Sequence, residues 1–269
     1  MKKNLLMVLI LLSGRLQAQE LFVFTEPASN MAAKSIGLRL NNYLMREPGI
    51  NNYHLLPEVM IGVSKKIMLH GELFFSNRDN IFKYEGGSVY AKYRFYSLDE
   101  VHSHFRMAAY GRLSFNNSDI HQPAIDFFGH SSGYEAGLIA TKLINKVAIS
   151  AGSAVLRAND NSFGKEKFPY SNGSRNAISY SLSIGRLMLP KEYNSYDQVN
   201  VNMMCEFLGQ TNTATGKTFV DIAPSVQFIF NSRMRFDLGY RYPLVSTLYR
   251  TAPKGAILRL EYNIFNAFK

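Results

Sequence analysis

His70 and Glu72 stand two residues apart in IMLHGELF, and Glu58 lies in the preceding stretch LLPEVMIG. An imidazole beside carboxylates can relay protons or contribute to a metal site, because the imidazole changes charge near neutral pH and both groups donate lone pairs. No further ligand follows at metal-site spacing. The plainer reading is a hydrogen-bonded network that holds a wall in shape, and neither metal nor cofactor is expected. A second set is Asp126 with His130-Ser131-Ser132. Acyl hydrolysis needs a serine activated by histidine and an orienting acid. Adjacent residues of an extended chain point to opposite faces, so His130 can serve Ser132 but hardly Ser131. We read this stretch as ordinary loop polarity and assign no catalytic residue. The largest set is a series of charges. Arg39, Lys92, Arg94, Arg106, Arg112, Arg235, Arg241 and Arg259 are interleaved with Glu58, Glu72, Glu135, Glu206, Asp221, Asp237 and Glu261. Together they either draw anions along a path or pair with one another. No glycine-rich phosphate loop, Cys-x-x-Cys pair or His-Glu-x-x-His motif is present.

The local pattern around these charges says what positions them. In RFDLGYRYPL, Arg235, Asp237 and Arg241 alternate with Phe236, Leu238, Tyr240 and Tyr242. Period-2 alternation puts the two sets on opposite faces of a strand. Twelve segments behave this way. Val89, Ala91, Tyr93 and Phe95 oppose Ser88, Tyr90, Lys92 and Arg94, and Leu258, Leu260, Tyr262 and Ile264 oppose Arg259, Glu261 and Asn263. In their central spans no charge falls on the apolar parity. Met107, Met203 and Met234 share that parity, where apolar contact accounts for them without metal.

A soluble sandwich would also keep charge out of its core, so two further features decide. The charged parity is rich in Gly, Ser and Asn, as a wet interior would be, while Phe75, Tyr93, Phe105, Phe228 and Tyr242 gather toward segment ends as an interfacial girdle would. The links also alternate. Residues 43–53, 76–87, 116–130, 157–174, 209–217 and 244–254 are long connections; Lys65-Lys66, Asn231-Ser232 and their counterparts are short, with 188–197 intermediate. Long outer loops and short inner turns are the signature of a membrane barrel with both termini on one side. We expect an all-β chain: a transmembrane antiparallel β-barrel of about twelve strands spanning residues 35–269.

The N-terminus reads as a secretory signal over residues 1–18: Lys2 and Lys3, the apolar run LLMVLILL, then a small-residue exit at Ala18. Its removal takes Lys2, Lys3 and Arg15, bringing the formal charge from +10 to +7. A basic exported chain suits membrane lipid and lipopolysaccharide phosphates, not nucleic acid. Cys205 is the sole cysteine, so no intramolecular disulfide forms. Residues 19–34 precede the first strand and form either a periplasmic tail or a plug inside the barrel; their LFVF start favours something packed.

The signal segment, the twelvefold alternation and the C-terminal LRLEYNIFNAFK resemble bacterial outer-membrane β-barrel proteins. In that last strand Tyr262, Ile264 and Phe268 match the aromatic-ended signal read by the barrel-assembly machinery, with Lys269 as a departure from the usual terminal aromatic. More narrowly, the size and the pre-barrel FTEPASNMAAKSIGLRL look like the barrel transporters grouped with fatty-acid and phenol-degradation channels. The resemblance implies an outer-membrane location and a channel or transporter for a small hydrophobic or anionic solute. A lipid hydrolase of the outer membrane, or a structural or adhesive barrel acting through its loops, are the alternatives. No enzyme activity is assigned. The fifteen interior charges, with His70, are the candidate lumen-lining residues.

Overall fold

The computed structural model describes residues 22–47, 50–78, 80–100, 103–168, 175–191 and 198–268, so the proposed signal segment lies outside the described residues. Twelve strands run in order: β1 Ser35–Glu47, β2 Ile50–Gly62, β3 Ile67–Ser76, β4 Lys83–Asp99, β5 Ser103–Asn116, β6 Ser132–Ile144, β7 Val147–Asn159, β8 Asn176–Leu189, β9 Asn200–Asn212, β10 Thr218–Phe230, β11 Met234–Ser246 and β12 Gly255–Ile264. Each pairs antiparallel with its sequence neighbours, and β1 closes the circle on β12 with Leu38 opposite Tyr262 and Arg39 opposite Glu261. Closure leaves no strand edge, which a lipid environment requires because it offers no water to exposed backbone groups.

The outward face carries the apolar parity. Leu38, Val89, Leu138, Val155, Leu182 and Leu260 are among its exposed members. Aromatic groups band both rims: Phe75, Tyr84 and Phe82 stack together at the long-loop end, and Tyr96 meets Phe105 edge-on at the short-turn end. Strands of ten to seventeen residues meet or exceed the roughly 9–11 residues that a tilted strand needs to cross a bilayer.

The long and short links alternate as the sequence suggests, with one difference. The first link is only residues 48 and 49, not 43–53, because β1 and β2 keep pairing from Asn42 opposite Leu55 to Glu47 opposite Ile50. Alternation fades there in a run of polar residues, yet the hydrogen-bonded ladder does not depend on side-chain parity.

Inside, the wall is asymmetric. Strands β11, β12 and β1 to β5 supply most of the charged residues, whereas β6 to β8 present Gly137, Ser150, Gly152, Ala154, Ser181 and Ser183. The bare side is filled by chain that is not strand. Ile125 and Phe127 of the β5–β6 loop pack on Ala154, Leu156, Ala158 and Ala177. From the N-terminal segment, Phe22 and Val23 pack on Leu143, Ala148, Met204 and Ile257, and Ala28 on Ala108 and Ile139.

Candidate functional site

Cross-strand register explains how the interior charges meet. Arg39 lies opposite Glu261 on one side and Glu58 on the other. Its guanidinium donates to Glu261 Oε2 at 2.8 Å, Glu58 Oε2 at 3.1 Å and Glu26 Oε1 at 3.1 Å. Glu58 faces Glu72 directly across β2 and β3, a repulsive register. It is relieved from both flanks: Arg39 holds Glu58, and Arg112 binds Glu72 at 3.3 Å and Glu135 at 3.2 Å. His70 Nδ1 sits 2.5 Å from Glu58 Oε1. Arg235 also binds Glu261, and Arg259 donates to Asn41 Oδ1 at 2.6 Å with Asp237 at 3.8 Å. At the long-loop end Asp221 takes Arg241 and Arg250 together, each at 2.5 Å, and Arg250 lies 3.8 Å over the Phe219 ring.

The N-terminal segment is held by this same wall. Backbone N–H groups of Val23, Phe24 and Thr25 donate to the Glu206 carboxylate at 2.8–2.9 Å, and the Thr25 hydroxyl adds a fourth bond at 2.7 Å. Lys92 Nζ donates to the carbonyls of Pro27 at 2.7 Å and Ser29 at 2.9 Å, and Arg106 to Ser29 Oγ at 2.8 Å. Glu26 faces Lys92 and Arg39. Burial pushes its carboxyl upward, but Lys92, Arg39 and His70 outweigh that and hold it well below the usual carboxylate range.

From the opposite end the β5–β6 loop, residues 117–131, turns inward. Ile125 exchanges two hydrogen bonds with the Gln210 side chain, at 2.9 and 2.8 Å, and Gln122 accepts from Thr251 N at 3.0 Å. Arg78 donates to the Gly129 carbonyl at 3.1 Å and to His130 Nε2 at 3.2 Å, while the His54 ring stacks on His130.

Between the N-terminal segment and this loop lies a cavity of about 290 Å³. Its lining includes the rings of Phe24, Tyr43, Tyr90, Tyr110 and Phe128. Tyr110 lies against the wall because its cross-strand partner is Gly137; a Cβ there would sit 2.7 Å from the Tyr110 ring.

Of the candidate residues read from sequence, Arg39, Glu58, His70, Glu72, Arg112, Glu135, Arg241 and Arg259 border this cavity. Lys92, Arg106 and Glu206 instead hold the N-terminal segment, while Asp221, Asp237 and Glu261 are buried partners of Arg241, Arg259 and Arg39, and Arg235 is buried on Glu261. Arg94 differs from expectation. It keeps the inner parity but lies close to the short-turn rim, where it donates to the Lys65 carbonyl at 2.8 Å, and the strand's register shifts just after it, between Arg94 and Tyr96. Phe268 differs too. Tyr262 and Ile264 face outward on β12, but the strand ends at Ile264, Asn266 takes φ 53°, and Ala267 N donates to the Lys34 carbonyl. Phe268 therefore lies beyond the ladder.

The serine-histidine set does not assemble. Ser132 Oγ bonds the backbone of Asn116, Ser131 Oγ accepts from Asp126 N, and His130 Nε2 faces Arg78. Among the described residues neither serine hydroxyl meets the imidazole. Among the described residues no group of three or more His, Cys, Asp or Glu is arranged to hold a metal. Sequence parity missed Arg78, Arg250 and Glu26, all outside strands, where alternation carries no information.

No protein-family model matches the sequence, and no curated protein matches it. Solved structures do match in fold. An outer membrane channel from Pseudomonas putida F1 superposes with TM-score 0.55 at 10% identity, covering 90% of this chain and 100% of that one. The NanC porin superposes with TM-score 0.51 at 12% identity, covering 83% of this chain and 97% of that one. The chain thus has the fold of bacterial outer-membrane barrels.

Proposed function

We propose that the chain is an outer-membrane channel for a small, largely uncharged solute, closed at rest by residues 22–34 and narrowed by residues 117–131. The observation that carries this reading is the ring-lined cavity between those two segments, inside a closed barrel whose outer surface is apolar. The likeness in fold to an outer membrane channel and a porin supports the location and the channel role. Of the two solute classes suggested by sequence, the hydrophobic one fits better, because the interior cations are engaged by carboxylates. Lipid and lipopolysaccharide surround such a barrel, and the barrel-assembly machinery would read Tyr262 and Ile264 at its last strand.

The test is conductance of the refolded mature protein in planar bilayers, with and without residues 19–34. Low conductance in the full chain and steady, weakly selective conductance on truncation is the expected result. Silence in both forms overturns the channel, and strong anion selectivity overturns the uncharged solute. Glu206→Gln, which weakens the anchor without removing chain, is expected to give intermittent openings.

A further inference from the structure

The outer wall carries little charge, and where it does the sign is always the same. Among the described strand residues, four charged side chains fall on the outward parity: Arg46, Lys142, Arg157 and Arg186, all of them cations. Arg46 and Arg157 stand at the long-loop rim on well-separated strands, and Arg157 donates to Asn176 Oδ1 at 3.1 Å. Lys142 and Arg186 both stand at the short-turn rim, on β6 and β8, with β7 alone between them.

Register fixes how these two relate. Lys142 lies opposite Phe105 on one side and Ile149 on the other, and Arg186 lies opposite Val147. Val147 and Ile149 are successive outward residues of β7, so the cations stand two strand spacings apart, about 10 Å, and one outward step apart in height. Long, flexible stems let both heads turn toward the gap over β7. Lys142 is half-buried and Arg186 exposed, and neither side chain makes a hydrogen bond or ion pair with a described residue. Phe105, opposite Lys142, meets Tyr96 edge-on in the aromatic girdle, which sets this corner at headgroup depth. The corner is also braced. Lys146, in the β6–β7 turn, donates from Nζ to the carbonyls of Pro190 at 3.1 Å and Lys191 at 2.5 Å, and its own carbonyl accepts Leu187 N at 3.0 Å. The exposed Lys191 is thereby brought to the same edge.

A cation on the lipid-facing parity is tolerated near the interface, where a phosphate supplies the counter-charge that no side chain here provides. A zwitterionic headgroup brings its own cation to compete for that phosphate, whereas an anionic one does not. We propose that this corner is a binding site for an anionic glycerophospholipid of the leaflet on the short-turn side: its phosphate lies over β7 between Lys142 and Arg186, and its acyl chains run along Ile149, Ala151 and Ile184. The arginine fork and the lysine point charge suit one phosphate from two sides. The site lies outside the lumen and holds whether or not the barrel conducts.

The sequence has no tryptophan, so Ala151→Trp places a sole indole on the outward face of β7, one step beyond Ile149, beside the acyl chains. Its fluorescence is read in phosphatidylcholine vesicles carrying rising fractions of dibrominated phosphatidylglycerol or dibrominated phosphatidylcholine, whose bromines quench on contact. The expected preference for phosphatidylglycerol at this indole is about fivefold to tenfold, the order of one to two cations acting near a charged headgroup. Lys142→Gln with Arg186→Gln should reduce it to about twofold or less. Lys65→Gln with Lys66→Gln removes the same charge from the β2–β3 turn across the barrel and should leave it unchanged. If the double change at the site does not refold, the single changes are read instead, each lowering the preference about twofold. Equal quenching by the two lipids, a preference that survives the changes at Lys142 and Arg186, or an equal loss on changing Lys65 and Lys66 each overturns the site.

Discussion

Glu206 shows how much one residue carries. It lies on the inner face of β9, opposite Ser183 and Ala223, and accepts three consecutive backbone N–H groups and one hydroxyl from Val23, Phe24 and Thr25. A buried carboxylate is stabilised by such a cluster, and the donors in turn are satisfied only while it is there. Glu206→Ala leaves those donors buried and unpaired, each at a cost of about 1–3 kcal/mol. The ladder on both sides of β9 is backbone-made and survives. We therefore expect the barrel to fold while residues 22–28 come loose. A thiol placed by Ala28→Cys, in a Cys205→Ser background, should then react with a water-soluble maleimide at least about tenfold faster than with Glu206 intact. Equal rates would mean that packing of Phe22 and Val23, not the carboxylate, holds the segment.

At the scale of elements, the docking of the loop of residues 117–131 is expected to depend on pH. Burial first, then the charges of Arg78, His54 and His121, push the His130 imidazole well below its usual range; Asp126 at 3.7 Å does not offset them. Glu85, 3.7 Å from Arg78, is the other acid near the cluster. A released loop returns His130 to an ordinary value near about 6.5. The docked form then binds fewer protons than the released one, so docking is fully favoured above that pH and weakens as pH falls below it. Amide exchange over residues 122–130 should accelerate between about pH 6.5 and 5 beyond the intrinsic rate change, and His130→Gln should flatten that dependence. A wild-type profile identical to the variant would place the loop's anchor elsewhere, at Gln210. This element was only half legible in sequence. Its length and polarity marked a loop, but its inward turn is dictated by the Gly- and Ser-rich inner faces of β6 to β8, which leave a space that Ile125 and Phe127 fill. That signal sits on other strands. The register shift between Arg94 and Tyr96 was illegible for the opposite reason: it resets the parity of the residues that follow Arg94, and nothing in YRFYS announces it.

For the whole molecule, alternation was enough to give the barrel, because the period of two is imposed by the pleat and each strand repeats it independently. Strand order follows with no further information, since every strand pairs with its sequence neighbours. What fills the lumen could not be read that way, as Glu26, Arg78 and Arg250 lie where there is no period to count. The same pattern, however, bears on the solvent outside. Leu138 lies midway along β6 and is 56% exposed; Glu135 falls on the opposite parity, and the one charge on its own parity, Lys142, lies four residues on toward the short-turn end. On a soluble protein, replacing an exposed leucine by arginine changes stability by no more than about 0.5 kcal/mol. On the lipid face at mid-bilayer it costs about 2–4 kcal/mol, and the cost falls toward the interfaces. Leu138→Arg should therefore lower the unfolding free energy of the vesicle-reconstituted barrel, read from urea titration, by that amount, while Leu44→Arg, near the rim at the long-loop end of β1, should shift it by less than about 1 kcal/mol. Equal, negligible shifts at both positions would show that water, not hydrocarbon, surrounds the strands, and would remove the physical basis for every statement made about the outer surface.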